Sequence, residues 1–404
     1  MNLGEIRQLI RMKPAEVDVV KRRLTRCHNI ADLRRRARLL IPRPVFDYVD
    51  GGADDELSMA SNIRAFRRWR FRPNAMVDVA GVDTSTQLFG RTLTMPLAMA
   101  PTGYTRMMHP GGEVAVARAA GRRNLPYTLS TMSTTSIEDL AAAARASGQD
   151  DLWFQLYVFK DHALTQDLVQ RAAASGYRVL TVTADTTVTG NRTRDVRNGL
   201  VIPPGLTAGT IASIGSRPAY WVRMLRNPAI TFANFPPGHQ SSTVAESIGQ
   251  FSASITWDDI AVLRSHWPGK LLVKGPLNGA DARRAIEAGA DGIQLSNHGG
   301  RQLDRAVAPA DLVREVREAA GDGVTVLVDS GIRHGADLVV ALALGADAGL
   351  VGRACLYGLM AGGEAGVDRA LDLLALEFTR TMQLLGVTSV AELRKHGREL
   401  LTPA

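Results

Sequence analysis

The run SNHGGRQLD, residues 296–304, holds the densest set of reactive side chains in the chain. His298 and Arg301 stand three apart in a glycine-rich stretch, so both can face one cavity. An imidazole takes up a proton near neutral pH. A guanidinium grips a carboxylate through two parallel hydrogen bonds. Taken singly, such residues are more often a hydrogen-bonded structural histidine and a surface charge. Their company shifts that weighing. Arg192 offers a second carboxylate clamp, Tyr157 a hydroxyl donor and Asp185 a carboxylate to orient the imidazole. His162, His266 and His396 fall on helical stretches or away from such runs and are read as structural.

Two glycine–arginine loops suggest a second chemistry. DSGIR, residues 329–333, and Gly352-Arg353 each put an arginine beside a glycine after an apolar run. Gly331 and Gly352 let backbone N–H groups approach an anion closely, and Arg333 and Arg353 add charge-assisted bonds. Glycines after strands are often only turns; two such loops in matching places favour a phosphate site. Lys274 ends another apolar run. It either snorkels to a rim or sets a fixed cation beside an electron-accepting ring, where it would stabilise the reduced anion.

The elements that position these groups are short and regular. Apolar runs occur at 94–100, 126–130, 152–158, 178–184, 271–274, 292–296, 324–329 and 348–352. They lack polar alternation, as strands buried on both faces do. Alanine-rich helical stretches lie between them. Ser136 to Asp139 resembles a capping box. Gly176, Gly289 and Gly345 stand where helices should end in left-handed backbone. EAGADGIQLS and ALGADAGLVG are near-copies of one helix-to-strand junction. The fold class expected is α/β, a (β/α)8 TIM barrel with working groups at C-terminal strand ends. Thr102 and Gly103, Ser130, Gln155 and Tyr157, Thr183, Lys274, Ser296, Asp329 and Gly352 all fall at or near those ends. A doubly wound sheet is the runner-up, but PTGYTR is not its glycine fingerprint.

Residues 1–404 read as a single domain: a partly helical lead-in over 1–93, a barrel over 94–385, and a long excursion over 185–257 after the fourth strand. The arginine run Arg34, Arg35, Arg36 and Arg38 reads as a solvated helix face, with phosphate or lipid contact as the alternative. The net charge of +8 fits an acidic substrate, an anionic cofactor, a nucleic acid or a membrane surface, and does not choose among them. The two cysteines, Cys27 and Cys355, have no metal, haem or disulfide spacing. No metal site is expected. With no secretory signal and no spanning apolar run in view, a cytoplasmic protein is expected, touching a membrane from outside at most.

Several segments together resemble the FMN-dependent family that oxidises 2-hydroxy acids, nearest its bacterial L-lactate dehydrogenase branch. They are FDYVDGGADDE from Phe46, APTG from Ala100, FQLYV from Phe154, LVKG from Leu272, SNHGGRQLD from Ser296 and DSGIR from Asp329. The resemblance runs from about residue 40 to the C-terminus. It implies FMN on a barrel, usually in homotetramers. It makes His298 the base and Asp185 its partner. Arg301, Arg192, Tyr48 and Tyr157 become the substrate ligands. Thr102, Gly103, Ser130, Gln155, Thr183 and Lys274 become the flavin-ring contacts. Asp329, Gly331, Arg333, Gly352 and Arg353 become the ribityl and phosphate contacts, with Ser296 among the cofactor contacts. The implied partners are a 2-hydroxy acid and a quinone or other electron carrier, and not a nucleic acid.

There are departures. Asp185-Thr186-Thr187 stands where many members read DTP, and Gly103 where many oxidases have Ala; Tyr104 and Met132 occupy variable pocket positions. The expectation is a dehydrogenase for an L-2-hydroxy acid, lactate or a bulkier one. The alternatives are a peroxide-forming oxidase and a non-catalytic phosphate-ligand barrel. A nucleotide dehydrogenase would need a nucleophilic cysteine, and both cysteines read as structural. No Cys-x-x-Cys-His run appears to hold a haem. RPAYWVRMLRNP, residues 217–228, interleaves Arg217, Arg223 and Arg226 with Tyr220, Trp221, Met224 and Leu225. It either rests on an anionic membrane or packs on the barrel.

Overall fold

In the computed structural model, residues 16–198, 215–235 and 249–404 are described. The eight apolar runs become eight strands: β1 Leu97–Met99, β2 Tyr127–Ser130, β3 Leu152–Leu156, β4 Val179–Thr183, β5 Lys270–Gly275, β6 Gly292–Leu295, β7 Thr325–Val328 and β8 Ala348–Val351. Each pairs in parallel with the next, and β8 closes on β1 with Gly349 opposite Leu97 and Val351 opposite Met99. This is a (β/α)8 barrel.

Seven of the eight strands are shorter than their apolar runs. At β3 the reason is visible: Tyr157 N–H leaves the ladder and donates to the Thr131 hydroxyl at 3.1 Å. At β1, Pro96 has no N–H to give a ladder. The helix punctuation follows expectation. Ser136 caps the helix Ile137–Arg145 by accepting from Asp139 N at 3.0 Å. Gly176, Gly289 and Gly345 all have positive φ at helix ends.

The two ends of the barrel differ. A hairpin of strands Thr86–Leu88 and Arg91–Leu93 plugs the N-terminal end. Its Leu88 and Leu93 pack with Trp153, Val179, Leu272, Leu327 and Leu350 in one dry cluster. Higher up, the interior turns polar. Ser130 donates to Gln155 Oε1 and Gln155 Nε2 donates to Thr183 Oγ1, both at 2.9 Å. The open, C-terminal end is left for ligands.

The lead-in adds helices Val19–Leu24, Ile30–Leu40, Arg43–Asp50 and Leu57–Arg67, of which Arg43–Asp50 borders this mouth through Tyr48 and Val49. The arginine run on Ile30–Leu40 is only partly solvated, which corrects the simple expectation. Arg34 bonds Asp50 at 2.7 Å and Arg36 Nε donates to Ala361 O at 3.1 Å, while Arg38 is exposed. The helix lies on Arg353–Leu385, so Arg36 reaches a carbonyl there, while Arg34, Arg35 and Arg38 remain exposed. Arg353–Leu385 itself bends at Gly362 and Gly363. The last strand, Leu401–Pro403, pairs antiparallel with Trp69–Phe71.

The described parts of the excursion beyond residue 214 lie over the loops that follow the first three strands, while residues 185–198 lie against the strand-six loop and the lead-in. Residues 250–252 pair with 158–160, and Asn234 Nδ2 donates to Ser133 Oγ at 2.9 Å. Tyr220, on helix Pro218–Leu225, donates to Met107 O at 2.7 Å.

Candidate active site at the open end of the barrel

The mouth forms a cavity open to solvent. Its lining reaches from the strand-six loop to the glycine–arginine loops after strands seven and eight, so cofactor and substrate can lie side by side in it. Tyr48, Thr102, Gly103, Ser130, Gln155, Tyr157, Arg192, Lys274, Ser296, His298, Arg301, Asp329, Gly331, Arg333, Gly352 and Arg353 line it. Asp185 and Thr183 stand just behind, bonded to His298 and Gln155 respectively.

The SNHGGRQLD run explains itself residue by residue. Ser296 Oγ accepts from His298 N at 3.1 Å. Asn297 and Asn62 exchange side-chain hydrogen bonds at 2.7 and 2.8 Å, tying the loop to helix Leu57–Arg67. His298 itself sits at φ +58, followed by Gly299 and Gly300 at +68 and +75. This left-handed path costs a non-glycine residue energy and is held by the surroundings. A Cβ at Gly300 would lie 2.6 Å from Met59 N, so only glycine fits there. Asp304 accepts from the N–H groups of Asp55, Leu57 and Ser58 and so caps that same helix.

His298 Nδ1 lies 3.2 Å from Asp185 Oδ1, and Nε2 lies 3.3 Å from the Tyr157 hydroxyl. Asp185 is ionised: burial pushes its carboxyl up, but Lys274 and His298 outweigh this and hold it below the ordinary range. The proton therefore belongs on Nδ1, by the logic of partners rather than by observation. Nε2 is left with its lone pair toward the cavity. Burial pushes the imidazole pKa down, Lys274 and Arg192 push the same way, and Asp185 opposes them. A neutral imidazole at neutral pH is a proton acceptor.

Arg301 and Arg192 face the same space. Arg301 Nη1 donates to the carbonyls of Tyr48 and, at 3.1 Å, Gly51, and its guanidinium stacks 4.8 Å over the Tyr48 ring. Burial, with Arg192 nearby, pushes Arg301 down to about 10, so it stays charged but wants an anion. Arg192 Nε is buried with no hydrogen-bond partner. An orphaned buried donor is costly, and a ligand carboxylate between the two arginines would satisfy it.

Lys274 is buried and forms no ion pair among the described residues. Gly331 has φ +127, and a Cβ there would lie 2.5 Å from Asn62 O. Arg333 reaches Ile332 O at 2.8 Å with one nitrogen. Arg353 departs from a simple phosphate ligand. Its Nε donates to Val49 O at 2.8 Å, Nη1 to Gly299 O at 2.8 Å and Nη2 to Gly51 O at 2.7 Å. A guanidinium has five N–H groups, so two remain for an anion while three fasten the lead-in to the barrel.

Some residues escaped the sequence reading. Gln302 Nε2 donates to the carbonyls of Asp185 and Val188, both at 2.9 Å, and so fastens the strand-four loop that carries Asp185. Ser330 Oγ accepts from Gly299 N at 2.9 Å and donates to Asp329 at 2.6 Å. Phe251, from the excursion, stacks on Tyr157 at 4.5 Å. Asp195 stands 3.9 Å from Arg301. Gln302 and Ser330 sat inside quoted motifs and could have been flagged. Phe251 carried no local signal.

A barrel mouth with a glycine–arginine cradle, a buried cation and a carboxylate-held imidazole is that of a cofactor enzyme acting on small carboxylic acids. The comparisons sharpen this. The family described as FMN-dependent dehydrogenase matches residues 37–399, and the chain belongs to it. A Mycobacterium tuberculosis protein, whose assignment as an L-lactate dehydrogenase is itself provisional, is 46% identical over 96% of this chain and 93% of its own length. The (S)-mandelate dehydrogenase of Pseudomonas putida is 41% identical, covering 90% of this chain and 92% of that one. A crystal structure described as monotopic membrane protein (S)-mandelate dehydrogenase superposes with a TM-score of 0.88 at 40% identity, covering 94% of this chain and all of that one. The chain is an enzyme of FMN-dependent 2-hydroxy acid oxidation. The cradle fits that cofactor: a Cβ-excluding glycine at 331, arginines at 333 and 353, and a cation at 274.

Proposed function

We propose that the enzyme oxidises an L-2-hydroxy acid, lactate or a bulkier relative, and passes the electrons to a quinone or another carrier. The observation that carries the catalytic assignment is His298: Nδ1 faces an ionised Asp185 and Nε2 faces the cavity. Arg301 and Arg192 clamp the substrate carboxylate. Tyr157 and Tyr48 orient the hydroxyl-bearing end. His298 Nε2 takes a proton from the substrate, and Asp185 stabilises the imidazolium that results. FMN, when bound, would supply the acceptor for the two electrons and the second hydrogen that the substrate loses. Thr102, Gly103, Ser130, Gln155, Thr183, Lys274 and Ser296 hold its ring end, and Asp329, Gly331, Arg333, Gly352 and Arg353 its ribityl and phosphate end. Tyr104, Met108, Met132 and Phe251 line the same space. Their bulk supports a wall for the substrate side chain.

The chain works as one catalytic unit, with the lead-in 1–93 and the excursion 185–257 built onto a barrel over 94–385, and assembles as a homotetramer at the cytoplasmic face of a membrane. Two observations support the membrane reading. Helix Pro218–Leu225 leaves Leu225 81% and Val222 47% exposed beside Arg223 and Arg226. The solved relative is described as monotopic. Among the described residues, no helix is long and apolar enough to cross a membrane. An oxygen-using reading also has support, since an L-lactate oxidase of Nostoc is 39% identical over 90% of this chain.

The test is anaerobic mixing of the yellow protein with L-lactate, with (S)-mandelate and with their enantiomers. Bleaching by an L-acid alone is expected; no bleaching by any of them sinks the assignment. Reoxidation by air and by a soluble quinone analogue then separates oxidase from dehydrogenase, the quinone being faster here.

A further inference from the structure

A second cavity, open to solvent, shares no lining residue with the first among the described residues. Residues 46–50 face both: Tyr48 and Val49 line the first, and Phe46, Asp47 and Asp50 line the second. Six arginines line the second: Arg34, Arg38, Arg43, Arg194, Arg197 and Arg217. They come from helix Ile30–Leu40, helix Arg43–Asp50 and, within the excursion, helix Thr193–Arg197 and the residue before helix Pro218–Leu225.

The carboxylates present are too few. Arg34 and Arg194 share Asp50, at 2.7 and 3.1 Å, and Arg43 lies 3.3 Å from Asp47. Glu56 reaches Arg194 from outside the lining. Six guanidinium groups against these three carboxylates leave an excess of three positive charges. Arg38 and Arg197 are exposed and form no ion pair among the described residues. Arg217 has a buried Nε without a partner. The Arg34–Asp50–Arg194 staple accounts for holding the fold together. It does not account for Arg38, Arg197 and Arg217, whose like charges repel around one space. Clustered guanidinium forks match the oxygens of phosphate groups.

We propose that this cavity binds a phosphate-bearing polyanion, at a site separate from the substrate and cofactor cavity. The phosphate is either free in solution or carried on a lipid headgroup, and the chemistry of recognition is the same. Arg38 and Arg197 are the residues that recognise it without a structural duty, so their removal leaves turnover unchanged.

The test uses the FMN-loaded full chain and the Arg38→Ala/Arg197→Ala double variant. Both side chains are exposed, so the variant should keep its melting temperature and its kcat. Calorimetric titration with inorganic pyrophosphate should show one saturable site in the wild type, weakened about tenfold or more in the variant. Flotation with phosphatidylglycerol vesicles is the second arm. Loss of vesicle binding in the variant, with no pyrophosphate affinity in either protein, assigns the phosphate to a lipid headgroup. Equal pyrophosphate affinity in the two proteins, or its displacement by the 2-oxo acid product, places the anion in the substrate cavity and overturns the proposal. So does the absence of any variant-sensitive response to either probe.

Discussion

Asp185 Oδ1 stands 3.2 Å from Nδ1 of His298, and this contact decides which imidazole nitrogen faces the cavity. An Asp185→Asn variant keeps the shape but removes the charge that holds the tautomer and stabilises the imidazolium. Flavin reduction by substrate should fall by about 10²–10⁴-fold, the range for a lost general base. His298→Gln should do the same, with FMN and fold retained. Rapid-mixing flavin reduction at the wild-type rate in either variant would remove His298 from the role of base.

The pH dependence follows from the same geometry. The base must be neutral to work. Burial and Lys274 push His298 below its ordinary value of about 6.5, and Asp185 stays ionised below it. Activity should therefore persist as pH falls past 6.5 and be lost only as pH passes the lowered pKa. The acid limb of kcat/KM should lie below about 6.5. Lys274→Met removes a nearby cation and should move that limb upward, whatever it does to the maximal rate. A wild-type limb at or above the ordinary histidine value would contradict the burial argument.

Arg301 and Arg192 should part company when substituted. Arg301 is already tied to the Tyr48 and Gly51 carbonyls and stacked on Tyr48, whereas Arg192 keeps an orphaned buried Nε. Arg192→Ala should raise KM with little loss of melting temperature. Arg301→Lys should harm both substrate affinity and reduction rate, because an ammonium cannot replace the fork that bridges carbonyls and carboxylate. Normal steady-state kinetics in Arg301→Lys would move the carboxylate site elsewhere.

A second pair of arginines separates cofactor binding from folding. Arg353 gives three hydrogen bonds to Val49, Gly299 and Gly51, while Arg333 gives one to the neighbouring Ile332. Arg333→Ala should weaken FMN retention by about 1.5–3 kcal/mol, one charge-assisted bond. Arg353→Ala should also lower the melting temperature of protein stripped of FMN, because it unfastens the lead-in. Equal melting temperatures for apo wild type and apo Arg353→Ala would show that the three carbonyl contacts carry no stability.

The barrel was legible because buried parallel strands and their glycine-ended helices leave local marks. Most of the sixteen expected residues that line the mouth sit at strand ends or inside dense motifs, whereas Tyr48, on a lead-in helix, was reached only through the family resemblance. What escaped notice depends on partners remote in sequence. The carbonyls that occupy Arg353 come from residues 49, 51 and 299, and nothing near position 353 announces them. Arg34 and Arg36 sit in a run that looks solvated until Asp50 and Ala361 are brought beside it. Strand ends were overrun for a similar reason: Tyr157 is apolar enough to extend β3, but a threonine hydroxyl from the neighbouring loop claims its N–H.

The helix Pro218–Leu225 divides the membrane question between its two faces. Tyr220 is 3% exposed and anchors the helix through Met107 O, so part of the segment does pack on the barrel. Val222 and Leu225 point away, with Arg223 and Arg226 beside them. Apolar side chains at the acyl boundary and arginines at anionic headgroups suit a shallow interfacial helix. The wild type should float with anionic liposomes at low salt and be released as salt screens the arginines. Val222→Ser with Leu225→Ser should reduce flotation without changing the reduction of FMN by substrate, since neither residue lines the cavity. Tyr220→Phe should lower the melting temperature instead, by leaving the Met107 carbonyl short of its donor. If the wild type stays at the bottom of the gradient at low salt, the exposed face of this helix has no membrane role, whatever carrier accepts the electrons.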